Sequence, residues 1–177
     1  MDWSKAKNII IAVLLAANLL IGGNLLAQYS SRQAQERQAA EDAVAFLEHE
    51  GMQIEAAVPE KAEKLPVLFL RLLRSGEGAQ GGYYKSYPVV LQGEEVGFEF
   101  AGEGQQAAET IPAAKALLKL YAQLSAEGSV KGMHVEEIRL VYLLSPDESS
   151  YAAQDTASPA WRIVVDGRTY YIDAYGE

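Results

Sequence analysis

Residues Ile9 to Ala27, within MDWSKAKNIIIAVLLAANLLIGGNLLAQ, form a run of 19 residues without a charge. As a helix rising 1.5 Å per residue, the run is about 28 Å long, close to the roughly 30 Å of a bilayer's hydrocarbon core. The apolar region of a cleaved signal is shorter, about 7–15 residues, and ends at a small-x-small site. The exit here reads Leu25-Leu26-Ala27-Gln28, with leucine where a small residue is required. A helix on the surface of a soluble domain shows a polar face, and this run has none. We therefore expect a single transmembrane helix over residues 9–27, behind a short head at 1–8. Lys5 and Lys7 precede the span and everything foldable follows it. This orientation puts the N-terminus in the cytoplasm and the domain outside the cell.

The span carries more than greasiness. At 100° per residue Ala12, Ala16, Gly23 and Ala27 fall within about 60° of one another. They form two small-xxx-small pairs, the pattern that lets helices approach closely in lipid. Asn24 flanks that stripe and Asn18 lies on another side. Each amide is worth about 1 kcal/mol as a hydrogen bond to a neighbouring helix. A passive anchor requires none of these residues, so Ala12, Ala16, Gly23, Ala27 and Asn24 are the candidate helix–helix contact. The alternative is ordinary span composition, with Asn24 near the membrane interface.

Residues 28–50 are rich in Ala, Gln, Glu and Arg and read as a juxtamembrane helix or stalk that ends at Gly51. Val44, Phe46 and Leu47 supply its docking face. Residues 51–177 read as one extracytoplasmic domain. LPVLFLRLLRS suits a strand or a short helix. YYKSYPVVLQGEEVGFEF suits two strands turning at Gly93-Glu94. GQQAAETIPAAKALLKLYAQLSAEG reads as a helix with Pro112 in its first turn and Leu117, Leu118, Tyr121 and Leu124 on one face. HVEEIRLVYLLSPD reads as a strand. WRIVVDGRTYYIDAYGE places Asp166-Gly167 between two strands, the signature of a type I′ hairpin. That turn pairs Val165 with Arg168, Ile163 with Tyr170 and Trp161 with Ile172. Trp161, Ile163, Val165, Tyr170 and Ile172 then share the core face. Arg162, Tyr171 and Asp173 share the other, a candidate partner surface or simply an exposed sheet face. There Arg162 either lies over Tyr171 or reaches Asp173. The expected fold class is α+β, an antiparallel sheet with packed helices.

Chemistry is sparse. The chain has no cysteine, which removes disulfides and thiol catalysis. Its net charge is −9, and the head carries a net +1, so the remainder is near −10. That balance disfavours nucleic acid and anionic lipid surfaces. His49 and His134 belong to no metal-ligand spacing. Glu136 and Glu137 are neighbours on a strand and point to opposite faces. GEGAQGG lacks the Lys-Ser/Thr of a phosphate loop. No catalytic, cofactor-binding or metal-binding residue is expected, and none is assigned.

Two stretches resemble one family. MDWSKAKNIIIAVLLAANLLIGGNLL resembles the start of the YycI family, with Met-Asp-Trp, a Lys-bearing head and an Asn-containing span. SPAWRIVVDGRTYYIDAYGE resembles that family's C-terminal strands through Pro159-Ala160-Trp161-Arg162-Ile163 and Tyr171-Ile172-Asp173-Ala174. DAVAFLEHEG is similar to the helix following the span in these proteins. The head and tail cover about a third of the chain, and the middle offers no matching motif. The resemblance implies a non-enzymatic, single-pass cell-membrane regulator. It would act with a YycH-like protein on a cell-wall-controlling sensor histidine kinase of the WalK (YycG) type, through transmembrane helices. The hairpin is also similar to PepSY-like and YpeB-type domains, which implies instead an extracytoplasmic binding module modulating a wall hydrolase or protease. A homodimer is compatible with either.

Overall fold

Asp166 and Gly167 both adopt left-handed backbone, φ 47° and 70°. This is the geometry a type I′ turn demands, and its twist matches that of the strands it joins. In the computed structural model, which describes residues 34–73, 82–104, 107–145 and 155–176 and the isolated Asn18, this turn links the last two strands of a nine-stranded sheet. The register is Val165↔Arg168, Ile163↔Tyr170, Arg162↔Tyr171, Trp161↔Ile172, as the two-residue turn requires. The Asp166 carboxylate also accepts the His134 backbone N–H at 3.1 Å. No atom lies within 4 Å of a Cβ added at Gly167, so Gly167→Ala strains the backbone alone. We expect it to cost about 1 kcal/mol, read as a fall in the urea unfolding midpoint with unchanged slope.

Numbered in chain order, the strands are β1 (Gln53–Ile54), β2 (Lys64–Leu65), β3 (Leu68–Leu72), β4 (Tyr83–Tyr84), β5 (Tyr87–Leu91) and β6 (Glu94–Glu95). They continue with β7 (Phe98–Glu103), β8 (Ala108–Glu109), β9 (His134–Ser145), β10 (Asp155–Val165) and β11 (Arg168–Asp173). The helices are α1 (residues 34–49) and α2 (Ala113–Glu127). The sheet is built on the long antiparallel pair β9 and β10. Each changes neighbours along its length. β9 pairs with β1 at its start and with β5 near its end, both in parallel. β10 pairs with β3 at its start and β11 at its end. β7 lies beyond β3, and β4 and β6 flank β5. Such forked edges suit a curled sheet rather than a flat one. β2 and β8 form a separate two-stranded ladder. The protein is thus a mixed α/β structure, and the expected antiparallel sheet contains two parallel pairings, β1 and β5 with β9.

The chain divides into two units, Met1–Gln38 and Ala39–Glu177. In the second, α2 covers one sheet face. Leu117, Leu120 and Leu124 of the helix join Trp161, Ile163, Val165, Ile172, Ile138 and Leu140 in the main core. Leu47 of α1 is buried in the same cluster, and Ala40 and Ala43 meet Ala114 of α2. These small residues bring the two helices close. Phe46, half-exposed, lies edge-on to Tyr121 at 5.4 Å.

Several local expectations shift. LFLRL forms a strand, settling the strand-or-helix ambiguity. α2 begins after Pro112, which caps the helix instead of entering its first turn. Its buried stripe is Leu117, Leu120 and Leu124, while Leu118 is exposed. The central turn falls at Gln92-Gly93, both at positive φ, one residue before the expected Gly93-Glu94. Gly93 accepts φ 94° without a Cβ penalty, and Glu94 is then free to enter β6.

Candidate functional site

The candidate helix–helix residues Ala12, Ala16, Gly23, Asn24 and Ala27 lie outside the described residues, as does the rest of the run Ile9–Ala27 except Asn18, which is helical and exposed. Among the described residues no helix is long and apolar enough to cross a membrane.

The second candidate, the sheet face opposite α2, is described in full. Alternation along β10 sends Ala160, Arg162 and Val164 to this face, against Val141, Arg139 and Glu137 of β9 and Asp173, Tyr171 and Thr169 of β11. Val90, Val141 and Ala160 form a small buried cluster with Leu143 and Tyr171 packed against it. Arg162 sits directly opposite both Tyr171 and Arg139. Two arginines face to face repel, and directly opposed like charges weaken a sheet. One oxygen resolves the conflict. Glu137 Oε1 lies 2.7 Å from Arg139 Nε and 3.5 Å from Arg162 Nη1. Glu95 Oε1 adds a contact to Arg139 Nη2 at 3.5 Å, and the Tyr83 hydroxyl donates to Glu95 Oε2 at 3.0 Å.

Neither of the two geometries expected for Arg162 is therefore its charge partner. It pairs with Glu137, while Asp173 accepts the Tyr175 backbone N–H at 2.6 Å. The clasp was findable in part. Glu137 and Arg139 are two apart on β9 and so share a face, but their register against Arg162 is set by a connection far longer than a tight turn. A bulge between Val164 and Val165 puts Val135 opposite Val165 and lets Glu136 fall out of the ladder.

The clasp leaves donors over. The Arg162 Nε–H and the Tyr171 hydroxyl are buried and make no hydrogen bond. Arg139 Nε is close to Glu137 but not aligned as a hydrogen bond. Buried donors without acceptors cost about 1–3 kcal/mol each, so the clasp carries a local energetic cost beneath the surface of this face.

A third cluster is aromatic. Tyr84 stacks on Phe100 at 5.8 Å and meets Tyr142 edge-on at 5.4 Å, and Tyr87 lies 6.5 Å from Tyr142. The buried Tyr142 hydroxyl donates to the Pro66 carbonyl at 3.1 Å. Burial holds the Tyr142 phenol well above its usual range. A hydrogen bond to Glu103, reinforced by burial, pushes Tyr84 up to about 12. Burial, with a hydrogen bond to Glu63, pushes Tyr87 up to about 12. Raised phenol pKa values mean the folded state keeps protons that the unfolded state releases above pH 10. The stability they contribute is whole below pH 10 and drains away as pH rises toward about 12. We expect the urea midpoint to fall across that window, together with the rise of tyrosinate absorbance. Tyr142→Phe should flatten the fall and lower stability near neutral pH by about 1 kcal/mol.

Among the described residues no three His, Asp or Glu side chains gather as a metal site. The His134 ring lies 3.5 Å from Glu55. No family model matches the chain. No curated protein matches it. Among solved structures, the chain is similar to an uncharacterized protein from Eubacterium rectale at 19% identity with a TM-score of 0.36. That match covers 47% of this chain and 27% of the other, and likeness at this level assigns neither fold nor function.

Proposed function

We propose that the protein is a non-enzymatic, membrane-anchored regulator of a cell-wall-controlling sensor histidine kinase of the WalK type, acting through its transmembrane helix together with a YycH-like partner. In this reading the N-terminus is cytoplasmic and the domain lies outside the cell. The observation that carries it is the small-residue stripe Ala12, Ala16, Gly23, Ala27 in an uncharged run of spanning length. The docking of α1 on the domain through Ala40, Ala43 and Leu47 supports it. A helix fixed on its domain is a means of passing a change in the domain back along the chain. The requirement is modest, since a coupling of about 1–3 kcal/mol between two kinase states shifts their ratio about 5- to 150-fold.

Gly23→Leu and Ala16→Leu test this. Each adds bulk to the stripe and prevents close approach, at a loss of about 1–2 kcal/mol of helix–helix contact. We expect crosslinking to the kinase to fall roughly tenfold in each variant, while urea unfolding of the domain is unchanged. Undiminished crosslinking in both contradicts the reading. A second reading, an extracytoplasmic binding module acting on a wall hydrolase or protease, follows from the likeness of the last hairpin to PepSY-like domains. It predicts the opposite outcome, with partner binding indifferent to both substitutions.

A further inference from the structure

The open edge of β11 has features of a self-pairing strand. The two-residue turn makes Val165↔Arg168 a hydrogen-bonded pair, and alternation then directs the backbone groups of Arg168, Tyr170 and Ile172 inward to β10. The N–H and C=O of Thr169, Tyr171 and Asp173 point the other way. Among the described residues no strand pairs with that side. Beside the edge lies a cavity of about 380 Å³, with Tyr171, Ile172 and Asp173 on one side and Lys119, Ala122 and Gln123 of α2 on the other. An unprotected edge is a template for another strand, and the groove beside this one has room for that strand's side chains.

We propose that the occupant is β11 of a second copy of this chain, paired antiparallel about a two-fold axis at Tyr171. Outward backbone groups must meet outward groups, so Tyr171 faces its own counterpart and Thr169 faces Asp173. Every resulting pair is compatible. The Thr169 hydroxyl donates to the Asp173 carboxylate, of which Oδ1 already accepts the Tyr175 N–H and Oδ2 remains. On the helix side, Tyr170 of one copy lies against Ile172 of the other and enters the groove beside Ala122. On the opposite side the two Tyr171 residues adjoin across the axis, each ring packed on its own Val90, Val141 and Ala160 cluster. Charge favours this direction. A parallel, in-register pairing sets Arg168 on Arg168 and Asp173 on Asp173, whereas the antiparallel one separates both like pairs. This pairing stands independently of the kinase reading.

The chain has no cysteine, so single cysteines report the pairing in the full-length protein in native membranes. Facing residues of a hydrogen-bonded antiparallel pair have Cα atoms about 5.5 Å apart, within disulfide range. Under mild oxidation, Tyr171→Cys should give a crosslinked dimer at least about fivefold over Thr169→Cys, whose counterparts are about 13 Å apart. Co-expressed Thr169→Cys and Asp173→Cys chains should crosslink to each other, with Tyr171 intact. Thr169→Pro, which removes only an outward N–H, should abolish the Tyr171→Cys dimer while tryptophan fluorescence stays native. Three results overturn the proposal. One is no Tyr171→Cys dimer in protein with native fluorescence. Another is equal crosslinking at Tyr171→Cys and Thr169→Cys. The third is crosslinking only to a different protein.

Discussion

Trp161→Ala is expected to remove about 3–5 kcal/mol of stability. Trp161 is almost wholly buried in the main core between the sheet and α2. Its loss leaves a cavity that neighbours on three elements cannot close. It also breaks a clamp. The indole Nε1–H donates to the Ile111 carbonyl at 2.9 Å, and the Ile111 N–H donates to the Ala174 carbonyl at 2.7 Å. That second bond exists because Pro159, facing Ala174, has no N–H to offer; the Ala174 N–H donates to the Pro159 carbonyl at 3.1 Å, and its carbonyl turns to Ile111. Pro159, Trp161 and Ala174 together hold the segment that starts α2. Trp161→Phe separates the two effects. It keeps most of the apolar volume and orphans the Ile111 carbonyl, a cost of about 1–3 kcal/mol. Urea midpoints at constant slope measure both.

The same residues explain what could be read in advance. The last hairpin was legible to the single pair because Asp166-Gly167 admits one turn type, and one turn type admits one register. Of the residues singled out by family likeness, Pro159, Trp161 and Ala174 form the clamp on the start of α2, a structural task. The phase of α2 was only partly legible. Periodicity named Leu117 and Leu124 correctly, but Leu118 and Leu120 compete for one stripe, and the sheet's position decides for Leu120. The two-residue strands β1, β2, β4, β6 and β8 carry no periodic signal of their own. The partners of β1, β2 and β8 come from distant segments, as the Gln53 N–H finds the Met133 carbonyl, while β4 and β6 merely turn back onto β5. The charge clasp on the sheet face opposite α2 was only partly legible for a related reason. Glu137 serves Arg162 across a strand pair whose register no tight turn announces.

The second large effect concerns the span. Replacing residues 9–27 with an unbroken leucine helix keeps the length and hydrophobicity needed to cross a bilayer. It deletes the small-residue stripe and both asparagines, so the helix can no longer approach a neighbour closely or share a hydrogen bond with it. The domain, whose core is formed by residues 40 to 174, should fold as before and stay in the membrane fraction. If the span carries the coupling, losing its 1–3 kcal/mol should remove regulation about as completely as deleting the protein.

Kinase output in cells carrying this leucine-span chain, compared with wild-type cells and cells lacking the protein, is the most direct measurement. The account predicts output at the level of the deletion, with normal amounts of chain in the membrane. Output at the wild-type level from the leucine span contradicts it.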